Sequence, residues 1–309
     1  MKLATTTGDF KGFYTRPAEA VELMAKTPFK HMDYNFYSDF VKGSYLMGDD
    51  YLTWPMEALE TAQKYGMDYV QAHAPNINIC TCDEEDSLTA MRHCMEICSR
   101  LGITRLVTHT SVSQKYRYPA DEKAYFELNR AWLQKLYGDM ERTGVRILIE
   151  NSAEQNMGGG YFFMTADDMN RFIDFCGHPM LGACWDTGHA NMRGVSQYAE
   201  LKALGKNLCA LHVQDNFGSF DEHIAPLMGT TDFDGIMRAL LEIGYPGTLT
   251  LESEYILPFN RTWPHAMRQD SPEGERKLAH PSLEARICAE NLLYAIGKHM
   301  LVSYDCFEE

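Results

Sequence analysis

Six side chains that can bind a metal ion recur at the ends of predicted strands. The short apolar run from Met180 to Trp185 is typical of a buried strand; Asp186 ends it, and His189 follows three residues later. Five further runs of this kind also end in an acid or an imidazole. The six residues are His73, His109, Glu150, Asp186, His212 and Glu252. Because buried acids and imidazoles are costly unless paired or bound to a metal, the pattern indicates one shared site.

The last four of these side chains predict a particular chemistry. Three carboxylates and one imidazole suit a divalent cation, with zinc or manganese favoured and cobalt, iron or magnesium as alternatives. A cation held in this way acts as a Lewis acid on a substrate oxygen. A hydrogen-bonded polar surface without a metal is the other interpretation. For Asp186 and His189 alone it would be a helix-capping aspartate and a surface histidine.

The elements that must position these side chains alternate along the chain. Eight strand-then-helix units in 309 residues predict a single-domain (β/α)8 TIM barrel over residues 1–309. A doubly wound sheet would carry a glycine-rich phosphate turn after its first strand, and Thr7-Gly8-Asp9-Phe10 is not one. Since the strands of such a barrel end at one mouth, the six side chains should converge there. The irregular segment 256–281, after strand eight, is a candidate lid or oligomer contact.

Composition restricts the partners. A formal net charge of -15 repels polyanions, so nucleic acid is disfavoured as a partner. No apolar run is long enough to span a membrane, and the first residues lack the apolar core of a secretion signal. Nine scattered cysteines are typical of free thiols in a reducing compartment. These features together predict a cytoplasmic protein.

Several short motifs resemble the xylose-isomerase-like superfamily of barrels, which includes sugar isomerases, sugar 3-epimerases, inosose-processing enzymes and apurinic endonucleases. The motifs are Ile149-Glu150-Asn151, Trp185-Asp186-Thr187-Gly188-His189, Leu211-His212-Val213-Gln214-Asp215-Asn216, Leu251-Glu252, and the runs 218–226 and 229–233. By this resemblance, Glu150, Asp186, His212 and Glu252 match the metal ligands of the epimerase branch. Glu150 and Glu252 match its acid/base pair, which moves a proton between adjacent sugar carbons through a metal-stabilised cis-enediolate. The resemblance implies a metal-dependent sugar or sugar-phosphate isomerase or epimerase.

Other functions within the superfamily stay open. The three-zinc site of the endonuclease branch is matched by five further residues, which are candidate metal ligands or substrate contacts: His73, His109, His189, Asp221 and His223. This branch implies a zinc-dependent phosphodiesterase, although Glu222 stands where the branch typically has a basic residue. An inosose-type dehydratase is a third alternative. A catalytically silent sugar-binding barrel is a fourth, because the arginine that epimerases carry shortly after the His212 match is absent from Asn216-Phe217-Gly218.

Three residues outside the ligand set are candidate substrate contacts. Lys115 and Arg117 lie in a basic and aromatic loop that could stack on a sugar ring or hold a phosphate. Trp185 is a candidate for the pocket wall, with a core position as the alternative. The expected partner is a small sugar or sugar phosphate, and members of the resembling family often form homo-oligomers.

Overall fold

Eight parallel strands close into a barrel. The computed structural model describes residues 1–256 and 281–309. The strands are β1 (Leu3–Thr6), β2 (His31–Asn35), β3 (Asp68–His73), β4 (Arg105–Thr108), β5 (Arg146–Glu150), β6 (Leu181–Asp186), β7 (Leu208–His212) and β8 (Leu249–Leu251). Neighbours along the chain pair in order, and β1 pairs with β8. Val213 closes the ring: its N–H donates to the Thr250 carbonyl at 2.8 Å, and its carbonyl accepts from Glu252 at 3.0 Å. The predicted (β/α)8 barrel is confirmed.

Helices surround the strands. They are α1 (Pro17–Met24), α2 (Thr53–Tyr65), α3 (Glu84–Leu101), α4 (Glu122–Gln134), α5 (Tyr137–Thr143), α6 (Glu154–Met157), α7 (Ala166–Cys176), α8 (Thr187–Arg193), α9 (Gln197–Leu204), α10 (Phe233–Glu242) and α11 (Leu283–Ser303), with 3-10 turns at Thr7–Phe10, Tyr45–Met47 and Gly205–Asn207. None of the helices in the described ranges combines the length and apolarity that crossing a bilayer requires. The predicted irregular segment 256–281 lies, except for its two end residues, outside the described residues.

Strand alternation divides the core into two layers, as β6 illustrates. Ala183 and Trp185 point outward into the large cluster under the helices, whereas Cys184 belongs to a small cluster inside the barrel. The inner layer is tight, because a Cβ on Gly182 would lie 2.8 Å from the Cys209 sulfur. Because Trp185 points outward, the next residue, Asp186 at the end of β6, points inward over the barrel axis.

Candidate metal centre

Four strand ends bring the predicted ligands together. Glu150 ends β5, Asp186 ends β6, His212 ends β7 and Glu252 follows β8. Each of these residues offers a ligand atom within 4.8 Å of those of the others. The His212 Nδ1 atom lies 2.9 Å from Glu150 Oε1 and 3.3 Å from Glu252 Oε2. We call these four residues the inner cluster.

Two carboxylate oxygens of the inner cluster have no hydrogen-bond partner in the part of the chain that the structure describes. Asp186 caps α8, since its Oδ1 accepts the His189 backbone N–H at 2.6 Å and the strand passes directly into the helix. Its Oδ2 atom and the Glu150 Oε2 atom are buried without a hydrogen-bond partner among the described residues. Buried carboxylate oxygens are costly unless paired or coordinated. The donor set and these two oxygens therefore fit a divalent cation.

Two more histidines contact the second oxygen of Glu150. The Nε2 atoms of His73 and His109 lie 3.4 Å and 3.6 Å from Glu150 Oε2. The His73 ring also stacks on His212, with 5.3 Å between the ring centroids. Glu150 consequently has imidazoles beside both of its oxygens, which is the position of a carboxylate able to bridge two ions.

A second group, the outer cluster, lies beside the first. Its members are His189, Asp221 and His223. The two imidazole Nε2 atoms lie 3.0 Å and 3.2 Å from Asp221 Oδ2. The chain returns to the barrel here through paired backbone hydrogen bonds between Asp215 and Ile224. His223 has a φ of 48°, a left-handed conformation that costs energy and often marks functional sites.

Three of the histidines share one orientation. The Nδ1 atoms of His73, His189 and His223 lie 2.6–2.9 Å from backbone carbonyl oxygens. The acceptors are Ala74, Asn151 and Glu252. Because a carbonyl only accepts, each Nδ1 donates its proton, and Nε2 is the nitrogen that faces a carboxylate and is available to a metal ion. Metal-binding histidines are fixed in this way by a hydrogen bond from the other ring nitrogen.

A glutamine joins the two clusters. The Gln214 Nε2 atom donates to Asp221 Oδ1 at 2.6 Å and to Asp186 Oδ1 at 3.3 Å. Its amide occupies the space beside Gly188, where an added Cβ would lie 2.1 Å from Gln214 Oε1. Sequence reasoning did not identify Gln214, although a buried amide two residues after His212 was a usable signal.

Charge interactions within the clusters shift several pKa values. Burial raises the pKa of Glu252 to about 7 and lowers the pKa of His109 to about 4. Burial is outweighed at Glu150, where His212 and His109 hold the pKa well below its ordinary value. At His189 burial is likewise outweighed, and Asp186 and Asp221 raise the pKa to about 10. The carboxylates therefore favour positive charge at this site, which protons or metal ions can supply.

A cavity of about 610 Å³ opens above the clusters. It is lined by His73, His109, Glu150, His189, Asp221, His223 and Glu252, together with Lys11, Asn35, Tyr37, Asn76, Asn156, Met157, Glu254 and Tyr255. Asp186 and His212 lie buried beneath it. This volume falls in the range of small-molecule sites.

The three predicted substrate contacts lie elsewhere. Trp185 is fully buried in the outer core layer, and its Nε1–H donates to Gln197 Oε1 at 2.9 Å. It points away from the barrel axis, so its prediction as a pocket residue is corrected to the core alternative. Lys115 and Arg117 are exposed and do not line the cavity formed by the described residues.

Comparison with known sequences places this chain in a family. A family model described as a xylose isomerase-like TIM barrel matches residues 18–271. An uncharacterized protein of Sinorhizobium fredii is 26% identical over 175 residues, which cover 55% of this chain and 53% of that protein. An uncharacterized protein of Methanocaldococcus jannaschii is 28% identical over 130 residues, or 41% of this chain and 43% of that protein. The chain thus spans about half the length of these curated relatives.

Solved structures share the fold over nearly the whole chain. A D-psicose 3-epimerase of Clostridium cellulolyticum H10, solved with D-tagatose, has a TM-score of 0.70 and 17% identity, and the match covers 97% of this chain and 99% of that chain. An IolI protein with a bound zinc atom has a TM-score of 0.71 and 18% identity, and the match covers 98% of this chain and 99% of that chain. A D-tagatose 3-epimerase-like protein has a TM-score of 0.69 and 19% identity, and the match covers 99% of this chain and 98% of that chain. At these identities the likeness shows the fold.

Proposed function

The chain belongs to the xylose isomerase-like TIM barrel family, and we propose that it is a metal-dependent isomerase or epimerase of a sugar or sugar phosphate. The observation that carries the proposal is the pair of glutamates, Glu150 and Glu252, whose carboxylate oxygens lie 2.9 Å and 3.3 Å from the same His212 Nδ1 atom. They come from β5 and β8, with β6 and β7 between them in the barrel. A substrate in the cavity would have one carboxylate on each side.

The inner cluster supplies ligands for one divalent cation, with zinc or manganese favoured. When bound, such a cation would stabilise the negative charge that develops on two neighbouring substrate oxygens. Both glutamates line the cavity; one, as the ionised base, would take a proton from one face of a sugar carbon, and the other, in its protonated form, would donate its own proton to the opposite face. Asp186 and His212, buried beneath the cavity, would hold the cation without contacting the proton being moved.

The names of the structural neighbours support this class of reaction. Two of the three described above are a D-psicose 3-epimerase and a D-tagatose 3-epimerase-like protein, and the third binds zinc. We extend sugar substrates and metal dependence to this chain as part of the proposal. Formation of a homo-oligomer and a cytoplasmic location stay predictions from the sequence.

The test is exchange of substrate carbon-bound hydrogen with deuterated water. The purified chain is loaded with zinc or manganese and assayed on a panel of ketoses, aldoses and their phosphates. Glu150→Gln and Glu252→Gln should each abolish exchange, because the amide cannot accept the proton. Glu242→Gln, on the exposed face of α10, is the matched control and should exchange normally. A Glu252→Gln variant that keeps its metal and full exchange would refute the assigned role.

A zinc-dependent phosphodiesterase of the apurinic-endonuclease type is the second candidate. The observation that favours it is the outer cluster, which together with the inner cluster, His73 and His109 assembles all nine matched ligands at one mouth. Metal analysis separates the two functions. Three zinc ions per chain together with cleavage of an abasic duplex would replace the first proposal by the second, and one tightly bound ion with sugar exchange would exclude the second.

A further inference from the structure

Beneath the inner cluster lies a buried carboxylate that none of the chemistry above uses. Asp33 is in the middle of β2, and only 2% of its surface is exposed. The Gln71 Nε2 atom donates to Asp33 Oδ2 at 2.8 Å and also approaches the Leu211 carbonyl at 3.3 Å. Gln71 Oε1 in turn accepts from the Thr250 hydroxyl at 3.1 Å. Side chains of β3 and β8 and the backbone of β7 therefore fix this carboxylate inside the barrel.

Asp33 faces the rear nitrogen of His212. The Nδ1 atom of His212 points at the two glutamates, so a cation held by the inner cluster would be bound through Nδ1. The Nε2 atom then carries the proton, and it lies 3.6 Å from Asp33 Oδ2. This separation is slightly longer than a hydrogen bond, and a movement of about half an ångström closes it. The other oxygen, Asp33 Oδ1, has no hydrogen-bond partner among the described residues.

The nitrogen of His212 that points away from the inner cluster has a different partner from the corresponding nitrogens of the other histidines. The rear nitrogens of His73 and His223 meet neutral backbone carbonyls, and that of His189 donates to a carbonyl while lying 3.4 Å from Asp186 Oδ1, itself a member of the inner cluster. The rear nitrogen of His212 instead meets a carboxylate from outside both clusters. A carboxylate behind a ligand histidine fixes the ring and makes its other nitrogen a stronger donor to the metal. A negative charge held nearby also favours a cation more than a carbonyl does.

We propose that Asp33 is a positioning residue for the metal site, which orients His212 through Nε2 and strengthens its bond to a divalent cation through Nδ1. The inference rests on the proposed metal-dependent function. A purely structural role is the alternative, in which Asp33 serves only as the acceptor for Gln71. Asp33→Asn separates the two roles, because its amide oxygen still accepts from Gln71 while its charge is removed.

The experiment measures the zinc affinity of the full chain by competition with a chromophoric chelator. Asp33→Asn should raise the dissociation constant about 10–100-fold, the usual effect of losing such a partner. Asp168→Asn is the control and should bind zinc with the affinity of the wild type. This aspartate is as buried as Asp33 but lies in α7, where it accepts a hydrogen bond from the Tyr118 hydroxyl. Equal affinity of wild type and Asp33→Asn would overturn the inference and leave the proposed function intact. Absence of both zinc and manganese binding by the wild type would overturn both the inference and the proposed function.

A second measurement does not depend on the folding of a variant. In the zinc-loaded wild type, ¹⁵N spectra of the imidazoles should show His212 with zinc on Nδ1 and a proton on Nε2. His73, His189 and His223 should instead carry the proton on Nδ1, since each donates from there to a carbonyl. A His212 ring protonated on Nδ1 would refute the assigned role of Asp33.

Discussion

Gly188 offers a sharp test of how tightly the inner and outer clusters are connected. It is the second residue of α8, and the Gln214 amide occupies the place of its missing side chain. A Cβ at this position would lie 2.1 Å from Gln214 Oε1 and 2.2 Å from Cδ. Because ordinary contacts are about 3.5–4.0 Å, Gly188→Ala must push the amide away by more than about 1 Å.

That displacement has a calculable cost. Gln214 is fully buried, and its Oε1 atom has no hydrogen-bond partner among the described residues, so its amide is held by the two bonds from Nε2 to Asp186 and Asp221. A hydrogen bond to a charged group contributes about 1.5–3 kcal/mol, and alanine gains up to about 1 kcal/mol over glycine in a helix. Gly188→Ala should therefore lower the free energy of unfolding by about 2–5 kcal/mol.

Urea denaturation followed by circular dichroism measures the effect. Gly138→Ala is the control, because Gly138 also lies in a helix but its added Cβ would have no atom of the described residues within 4 Å. It should leave stability unchanged or raise it by up to about 1 kcal/mol. In a Gln214→Ala background, Gly188→Ala should cost little, since the obstructing amide is gone. An equal cost in both backgrounds would show that Gln214 is not what excludes a side chain at Gly188.

Two further predictions concern the outer cluster and the buried charges behind β1. If the outer cluster holds a further ion, as the phosphodiesterase candidate requires, Asp221→Asn should remove one metal equivalent per chain and leave the inner cluster loaded, as measured by elemental analysis; an unchanged metal content would exclude the outer cluster as a metal site. Arg286 is fully buried, and its Nη2 atom lies 2.6 Å from Glu290 Oε1 and 3.7 Å from Asp9 Oδ1. Arg286→Met should lower the free energy of unfolding by about 3–5 kcal/mol. Arg142→Met, which removes an exposed pair, should cost at most about 1 kcal/mol, and similar losses in the two variants would contradict this account.

The inner cluster was predictable because two simple regularities govern it. Apolar runs bounded by turns identify strands, and parallel strands of a barrel end at one mouth. Every predicted strand-end ligand from His73 to Glu252 lies at the last residue of its strand or at the one after it. No long-range information beyond the fold class was needed to bring these side chains together.

The outer cluster depends on information that local patterns do not contain. Asp221 and His223 belong to a loop, and they reach His189 because the chain folds back between Asp215 and Ile224. That return is a tertiary contact, which the residue types around Asp221 and His223 do not reveal. Only the resemblance to the endonuclease branch pointed to these positions as ligands.

The alternation of side chains along a strand, applied consistently, would have predicted the positions of Trp185 and Asp33. If Asp186 faces the barrel axis, then Trp185 must face the helices, as it does, so its prediction as a substrate contact disregarded the pleat. The same rule applies to β2. Met32 and Tyr34 pack outward, which leaves Asp33 inside the barrel, and an acid at an inward position of a buried strand is a strong signal for function.

The ligands themselves do not separate sugar isomerisation from phosphodiester cleavage, because both use the same imidazoles and carboxylates. The charges around these ligands do separate the two reactions. Lys11 is the one lysine or arginine lining the cavity in residues 1–256 and 281–309, and its neighbours there include the carboxylate of Glu254. A duplex would have to bring many phosphates to a chain of net charge -15, at a cavity whose described lining offers Lys11 as its one lysine or arginine. A small polyol of little charge meets no such repulsion, and a cation in the inner cluster would offset the carboxylates closest to its reacting oxygens. The balance of charge at the mouth, more than the metal ligands beneath it, therefore favours the isomerase or epimerase.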